Sequence, residues 1–170
     1  EANIDGLVWF LDEVYPELLK KHPNIHFYIV GKKPDQRLIS RASNYDSVEL
    51  TGFVENLEPY FKKARVFVIP LRFGSGIKVK LLNAMYRGIP IVTTPIGTEG
   101  LEVDYAKDLF CSQSEKEQVK AISTLIGSKS TWEDMRDRSR NVAKNYTWEK
   151  LLSDHDAIIE SLNKNSEHRH

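Results

Sequence analysis

The chain has 170 residues, of which 41% are hydrophobic and 28% charged, and its 24 basic and 24 acidic residues give a formal net charge of zero. These values are typical of a globular domain, and the lack of a basic excess argues against nucleic-acid binding. A single cysteine, Cys111, excludes an intrachain disulfide, and no apolar run is long enough to span a bilayer. We therefore expect a cytoplasmic domain.

The spacing of apolar residues changes period repeatedly, which predicts alternating helices and strands. The first half predicts a helix with Asn3 as its N-cap and an apolar stripe from Ile4 to Leu18. It then predicts a strand over 25–30 before Gly31, a helix over about 35–44, a strand over 48–51 before Gly52 and a helix over 57–64.

The second half continues the alternation. It predicts a strand over 66–69, a helix from near Gly76 or Ile77 to Gly88, strands over 91–94 and 109–111, and helices with apolar stripes over 119–126 and 148–162. Apolar strands separated by amphipathic helices predict a parallel sheet covered on both faces. We therefore expect one Rossmann-like, doubly wound α/β domain over residues 1–165, followed by a disordered polar tail over 166–170.

Glycine-containing loops follow four of the predicted strands, at the sheet edge where ligands bind in open α/β folds. An alternative is that these glycines simply end strands. The loops contain Gly31, Gly52-Phe53, Gly74-Ser75-Gly76 and Gly97-Thr98-Glu99.

The segment from Pro70 to Lys80 gives the strongest indication of a site. Its helix start has no acidic residue and has Lys78 instead, which is unfavourable unless an anion fills the end. Arg72 is close enough in sequence to assist Lys78 in holding a phosphate. The segment matches neither a Walker loop nor a dinucleotide fingerprint. A solvated lysine at a helix start is the alternative.

Several motifs in order along the chain resemble the group 1 (family four) glycosyltransferases of GT-B fold. They are Pro70-Leu71-Arg72-Phe73-Gly74-Ser75-Gly76-Ile77-Lys78, Leu82-Asn83-Ala84-Met85, Gly88-Ile89-Pro90-Ile91-Val92-Thr93-Thr94 and Gly97-Thr98-Glu99-Gly100-Leu101. The resemblance implies the C-terminal, donor-binding domain of a retaining, hexosyltransferase-type enzyme. Such an enzyme uses a UDP- or GDP-type sugar donor and requires no metal or other cofactor. It also implies an acceptor-binding N-terminal domain, an inactive isolated chain and a full-length protein that is cytoplasmic or membrane-peripheral.

The resemblance assigns roles to individual residues. Lys78 matches the pyrophosphate-binding lysine, and the amides of Gly76 and Ile77 are expected to cap the phosphates within the loop that contains Arg72, Gly74 and Ser75. Gly52, Phe53 and Val54 match the strand end against which the nucleobase packs, and Gly31 lines the same groove. Gly97, Thr98 and Glu99 match the loop near the sugar and phosphate.

Two departures from the family pattern matter. The two glutamates that the family places eight positions apart fall on Ser75 and Asn83, and Asn83 lacks the charge that normally grips the ribose. A non-catalytic nucleotide-binding or interaction module is therefore an alternative function. The family also has a strand just before the segment starting at Asn3, so we expect an empty sheet position, with reduced stability or with another chain filling it.

Overall fold

The computed structural model describes residues 1–32, 34–105 and 107–146. Helices α1 (Ala2–Trp9) and α2 (Tyr15–Lys21) are joined by a π-helical turn, Phe10–Val14. The chain continues through β1 (Phe27–Val30), α3 (Gln36–Ala42), β2 (Val48–Gly52), α4 (Glu58–Lys63), β3 (Phe67–Ile69), α5 (Val79–Arg87) and β4 (Ile91–Thr93). A 3₁₀ turn (Pro95–Thr98) then leads to β5 (Phe110–Cys111), α6 (Glu115–Gly127), α7 (Lys129–Ala143) and a final 3₁₀ turn (Lys144–Tyr146).

The order of elements confirms the α/β alternation predicted from the sequence. The predicted stripe over 148–162 and the polar tail over 166–170 lie outside the described residues. Gly88 ends α5 with a φ of 70°, as predicted. The prediction of Asn3 as an N-cap is wrong, because α1 starts at Ala2 and the Asn3 carboxamide oxygen accepts a hydrogen bond from Lys80 instead.

All the described strands that pair do so in parallel, but they form two separate sheets. Strand β1 pairs with β2, from Phe27 opposite Val48 to Val30 opposite Gly52. In the second sheet the order is β3-β4-β5, with Ile69 opposite Thr93. The Thr93 hydroxyl donates to the Ile69 carbonyl oxygen at 2.9 Å, which ties β4 to β3 at their carboxyl ends.

A cleft of about 1390 Å³ lies between the two sheets. Core side chains line it, among them Phe10 and Tyr15 beneath it, Ile29 on β1 and Val68 on β3. Within the described residues, β1 and β3 each have a strand partner on one side only. The described strands are thus interrupted between β1 and β3.

Helices cover both faces of the strands. One core cluster joins α1, α2 and α6 to the sheets through residues such as Leu11, Leu18, Val92 and Leu125. The second cluster packs α5 and α7 against the opposite face. Neighbouring residues of β4 therefore enter different clusters, as the alternation of side chains along a strand requires. In the described part of the chain, no helix combines the length and the apolar character needed to cross a membrane.

Candidate functional site

Helix α1 and the residue before it contact the helix that follows β1 and the loop that follows β3. The Glu1 carboxylate pairs with Arg37 of α3 at 2.8 Å, beyond the loop after β1. On the other side, Gly6 lies so close to Pro70 that a Cβ at position 6 would be 2.8 Å from the Pro70 carbonyl carbon. The carboxyl ends of β1 and β3 therefore face the same edge of the fold, where open α/β folds bind ligands.

Two glycines shape the loop between β3 and α5. Gly74 and Gly76 have φ angles of 120° and 79°, which residues with a Cβ rarely adopt. The helix then begins at Val79, later than the predicted start near Gly76 or Ile77. Because the unpaired amides of a helix belong to its first turn, they come from residues such as Val79 and Lys80. The amides of Gly76 and Ile77 therefore precede the helix, and their expected contact with the phosphates stays a prediction.

Lys78 lies at the junction of this loop and α5 and is 10% exposed in its side chain. Its ammonium donates to the carbonyl oxygen of Gly76 and lies 3.7 Å from the Glu99 carboxylate. Beside it, the side chain of Ile77 is half exposed and packs over Gly100. The first turn of α5 has no acidic residue, so Glu99 provides the nearby negative charge from another loop.

The resemblance assigned three residues of the loop after β4 to the site, and one of them has an accessible side chain. Gly97 and Thr98 are buried, and the Thr98 hydroxyl donates to the Pro95 carbonyl oxygen at 2.9 Å. Glu99 is exposed and faces Lys78. Gly97 and Thr98 thus support the loop from inside, and Glu99 is the member of the set that a ligand would meet.

The ends of β1 and β2 form an accessible surface with an aromatic ring. The Gly31 amide donates to the Gly52 carbonyl oxygen at 3.2 Å, which holds the two strand ends together. Phe53 follows, 63% exposed, and the Lys32 ammonium lies 4.5 Å from the centre of its ring. Val54 beside it is half-buried. An exposed ring next to a backbone edge suits a planar, partly polar group.

Asn83 lies on α5, one turn beyond Lys80, and lines the large cleft. The side-chain Nδ2 of Asn83 donates to the Val79 backbone carbonyl oxygen at 3.2 Å. The side-chain Oδ1 of Asn83 accepts a hydrogen bond from the Arg87 guanidinium at 3.2 Å. Arg87 in turn pairs with Glu58 at 2.6 Å. Asn83 therefore keeps both polar atoms engaged within its own helix.

Arg72 forms an ion pair with α1. Its guanidinium lies 3.7 Å from the Asp5 carboxylate of α1. Gly74 and Ser75, by contrast, line a small cavity of about 370 Å³ together with Lys78. The loop thus divides its predicted site residues between an ion pair with α1 and a concave, basic surface.

The structure brings Gly31, Gly52 and Asn83 into one cleft, and it adds three residues that the sequence analysis did not assign to the site. Lys80 and Asn3 line both cavities, and Gly6 sets the approach of α1 to the loop. Gly6 could have been identified from the sequence, because a glycine inside a predicted helix often marks the close approach of another segment. No local pattern could reveal the contact between Lys80 and Asn3, which are 77 residues apart.

Comparisons with known proteins find relatives that match most of the chain. A curated protein of Klebsiella pneumoniae, an uncharacterized 44.6 kDa protein in the cps region, is 26% identical over 162 residues, which are 89% of this chain and 41% of that protein. An uncharacterized glycosyltransferase of Haemophilus influenzae is 25% identical over 158 residues, covering 88% of this chain and 44% of the relative. The chain therefore spans less than half the length of these relatives.

The chain is also similar in fold to a solved structure. The crystal structure of Anabaena HepE in complex with UDP and glucose superposes with a TM-score of 0.72 at 15% identity, over 89% of this chain and 44% of the other. The family described as glycosyl transferases group 1 matches residues 1–128, which is more than half of the chain. This chain therefore belongs to the group 1 glycosyltransferases.

Proposed function

We propose that the chain is the donor-binding domain of a retaining, hexosyltransferase-type glycosyltransferase that takes its sugar from a nucleoside diphosphate. The observation that carries the proposal is the glycine loop at the carboxyl edge, with the largely buried Lys78 beside an acid-free helix start. The UDP bound to HepE, which shares this fold, is a ligand of the same chemical class.

In this assignment the nucleotide lies along the edge formed by the strand ends. The base packs near Phe53, the ribose lies near Asn83 and the diphosphate reaches the loop that contains Lys78. When the bond to the sugar breaks, negative charge develops on the leaving diphosphate. A fixed ammonium and the amides at the start of α5 stabilise that charge.

Lys78 must exchange partners for this to happen. In the structure its ammonium contacts the Gly76 carbonyl and faces Glu99. An anionic phosphate oxygen would replace the neutral Gly76 carbonyl as the acceptor, which gives a hydrogen bond between two charged groups. The acceptor would bind to a separate N-terminal domain, so we expect nucleotide binding but no sugar transfer from this chain by itself.

Isothermal titration calorimetry with UDP, GDP and their sugars tests the proposal. Removing one charge-assisted phosphate contact costs about 1.5–3 kcal/mol, so Lys78→Ala should weaken binding about 10- to 150-fold. Lys120→Ala, an exposed lysine on α6, is the matched control and should bind as the unsubstituted chain does. If no nucleotide binds, or if the Lys78 variant binds unchanged, the proposal is wrong.

The uncharged Asn83 favours a second candidate, a module that has kept the fold and nucleotide binding but lost the chemistry. Its polar atoms are already satisfied by Val79 and Arg87. If Asn83 nevertheless occupies the ribose site, Asn83→Glu should tighten nucleotide binding. Unchanged or weaker binding would count against the ribose assignment. A transfer assay with the full-length protein separates an enzyme from a module.

A further inference from the structure

The small cavity beside the glycine loop contains two lysines. None of the described residues that line it is acidic. The two lysines, Lys78 and Lys80, lie two residues apart at the start of α5. The lining consists of Ala2, Asn3, Leu71, Phe73, Gly74, Ser75, Lys78, Val79 and Lys80. A concave surface lined by two lysines, with Glu99 near Lys78 as its one neighbouring carboxylate among the described residues, carries a net positive charge that is complementary to an anion.

Lys80 is held in place by a neutral partner. Its ammonium donates to the Asn3 carboxamide oxygen at 2.5 Å, and none of the ion pairs among the described residues includes Lys80. Desolvation lowers the pKa of Lys80, and the positive charge of Lys78 lowers it further. The residue as a whole stays exposed, so its desolvation is partial. Two like charges within interaction range destabilise each other unless an anion lies between them.

The two lysines differ in their position along the edge. Lys80 lines both the small cavity and the large cleft, which also contains Asn83, Gly31 and Gly52. Lys78 lines the small cavity but not the large cleft. Moving along the edge from the base-binding side, the order is therefore Asn83, then Lys80, then Lys78.

We propose that Lys80 binds the phosphate next to the ribose and that Lys78 binds the terminal phosphate, which carries the sugar. This assignment rests on the proposed function, because it takes the nucleotide to run from Phe53 and Asn83 toward the glycine loop. Two cations at successive phosphates match the charge of a nucleoside diphosphate better than one, since each contact is charge-assisted. Asn3 orients Lys80 without competing for its charge.

Affinities for nucleoside, nucleoside monophosphate and nucleoside diphosphate distinguish the two lysines. The uridine and guanosine series are titrated into the 170-residue chain by calorimetry, and the series that binds more tightly is used for the variants. Lys80→Ala should weaken the monophosphate and the diphosphate by similar factors, about 10- to 150-fold. Lys78→Ala should weaken the diphosphate by a similar factor and leave the monophosphate within about threefold.

Two further variants distinguish the effect of the Lys80 charge from the effect of its hydrogen bond to Asn3. Lys80→Gln keeps an amide donor for Asn3 but removes the charge, so it should lose affinity as Lys80→Ala does. Lys80→Arg keeps the charge and should retain most of the monophosphate affinity. Far-UV circular dichroism establishes that each variant is folded, and Lys120→Ala controls for the loss of a surface lysine.

The outcomes separate this inference from the function on which it rests. If the Lys78 variant loses diphosphate binding while all Lys80 variants bind normally, the proposed function stands and the role of Lys80 is wrong. If Lys80→Gln retains full affinity, Lys80 acts through its contact with Asn3, and the phosphate assignment is overturned. If the unsubstituted chain binds no nucleotide, both proposals fail.

Discussion

A methyl group at position 6 has no room between α1 and the loop that follows β3. A Cβ on Gly6 would lie 2.8 Å from the Pro70 carbonyl carbon and 3.4 Å from the Leu71 Cα, and closer still to the Pro70 oxygen. Carbon atoms pack best at about 3.5–4.0 Å, so α1 would have to move outward by roughly 1 Å. The neighbours are backbone atoms, which cannot rotate away.

Gly127 provides the matched comparison, because it is also helical and a Cβ there would have nothing within 4 Å. Replacing glycine with alanine stabilises a helix interior by up to about 1 kcal/mol, and the gain is smaller at Gly127, the last residue of α6. The difference in free energy of unfolding between Gly6→Ala and Gly127→Ala therefore measures mainly the steric cost at position 6. That cost should be about 1–3 kcal/mol. Since 1 kcal/mol shifts the midpoint by about 2–4 °C for a chain of this size, the two variants should melt several degrees apart.

Urea unfolding followed by circular dichroism measures that difference as a free energy of unfolding. The same titrations used for Lys78 should show weaker nucleotide binding by Gly6→Ala, because the displaced α1 carries Asn3, which holds Lys80 beside the glycine loop. Equal stability of the two alanine variants would refute the close approach of α1 to Pro70.

Two further predictions concern the loop after β4 and the cysteine. Gly97→Ala should lower the free energy of unfolding by about 1–3 kcal/mol in urea, because a Cβ there would collide with the Thr93 hydroxyl and lie 3.3 Å from the Ile69 side chain; an unchanged midpoint would contradict this packing. Burial raises the pKa of the Cys111 thiol, and Thr98 partly offsets the rise. At pH 8 iodoacetamide should therefore modify native Cys111 more slowly than the unfolded chain, and equal rates would show that the thiol is accessible.

The sequence was most informative where structure depends on local spacing. Short continuous apolar runs and stripes of helical period predicted the alternation of strands and helices. Gly88 predicted the end of α5, because glycine readily adopts the left-handed conformation that closes a helix. The helix start without an acidic residue beside Lys78 was also predicted, whereas its role in holding an anion stays a prediction.

Contacts between distant segments could not be predicted in the same way. Asn3 is a good N-cap by residue type, yet its side chain is taken by Lys80 from another helix. Arg72 pairs with Asp5, and Thr98 is buried, although both belong to loops at the predicted edge. The start of α5 shifted because the positive φ at Gly76 extends the turn, and the sequence does not specify where such a turn ends.

The interrupted sheet also determines how quickly different parts of the backbone exchange hydrogen with solvent. Among the described strands, β4 alone has neighbours on both sides, whereas β1 and β3 each border the cleft. Amide protons on β4 should therefore survive in deuterated water long after those that face the cleft have been replaced. On the side that faces the cleft, β1 and β3 have no strand partner among the described residues, so their backbone groups could pair with a second copy of the chain. Sedimentation at increasing protein concentration would reveal such pairing.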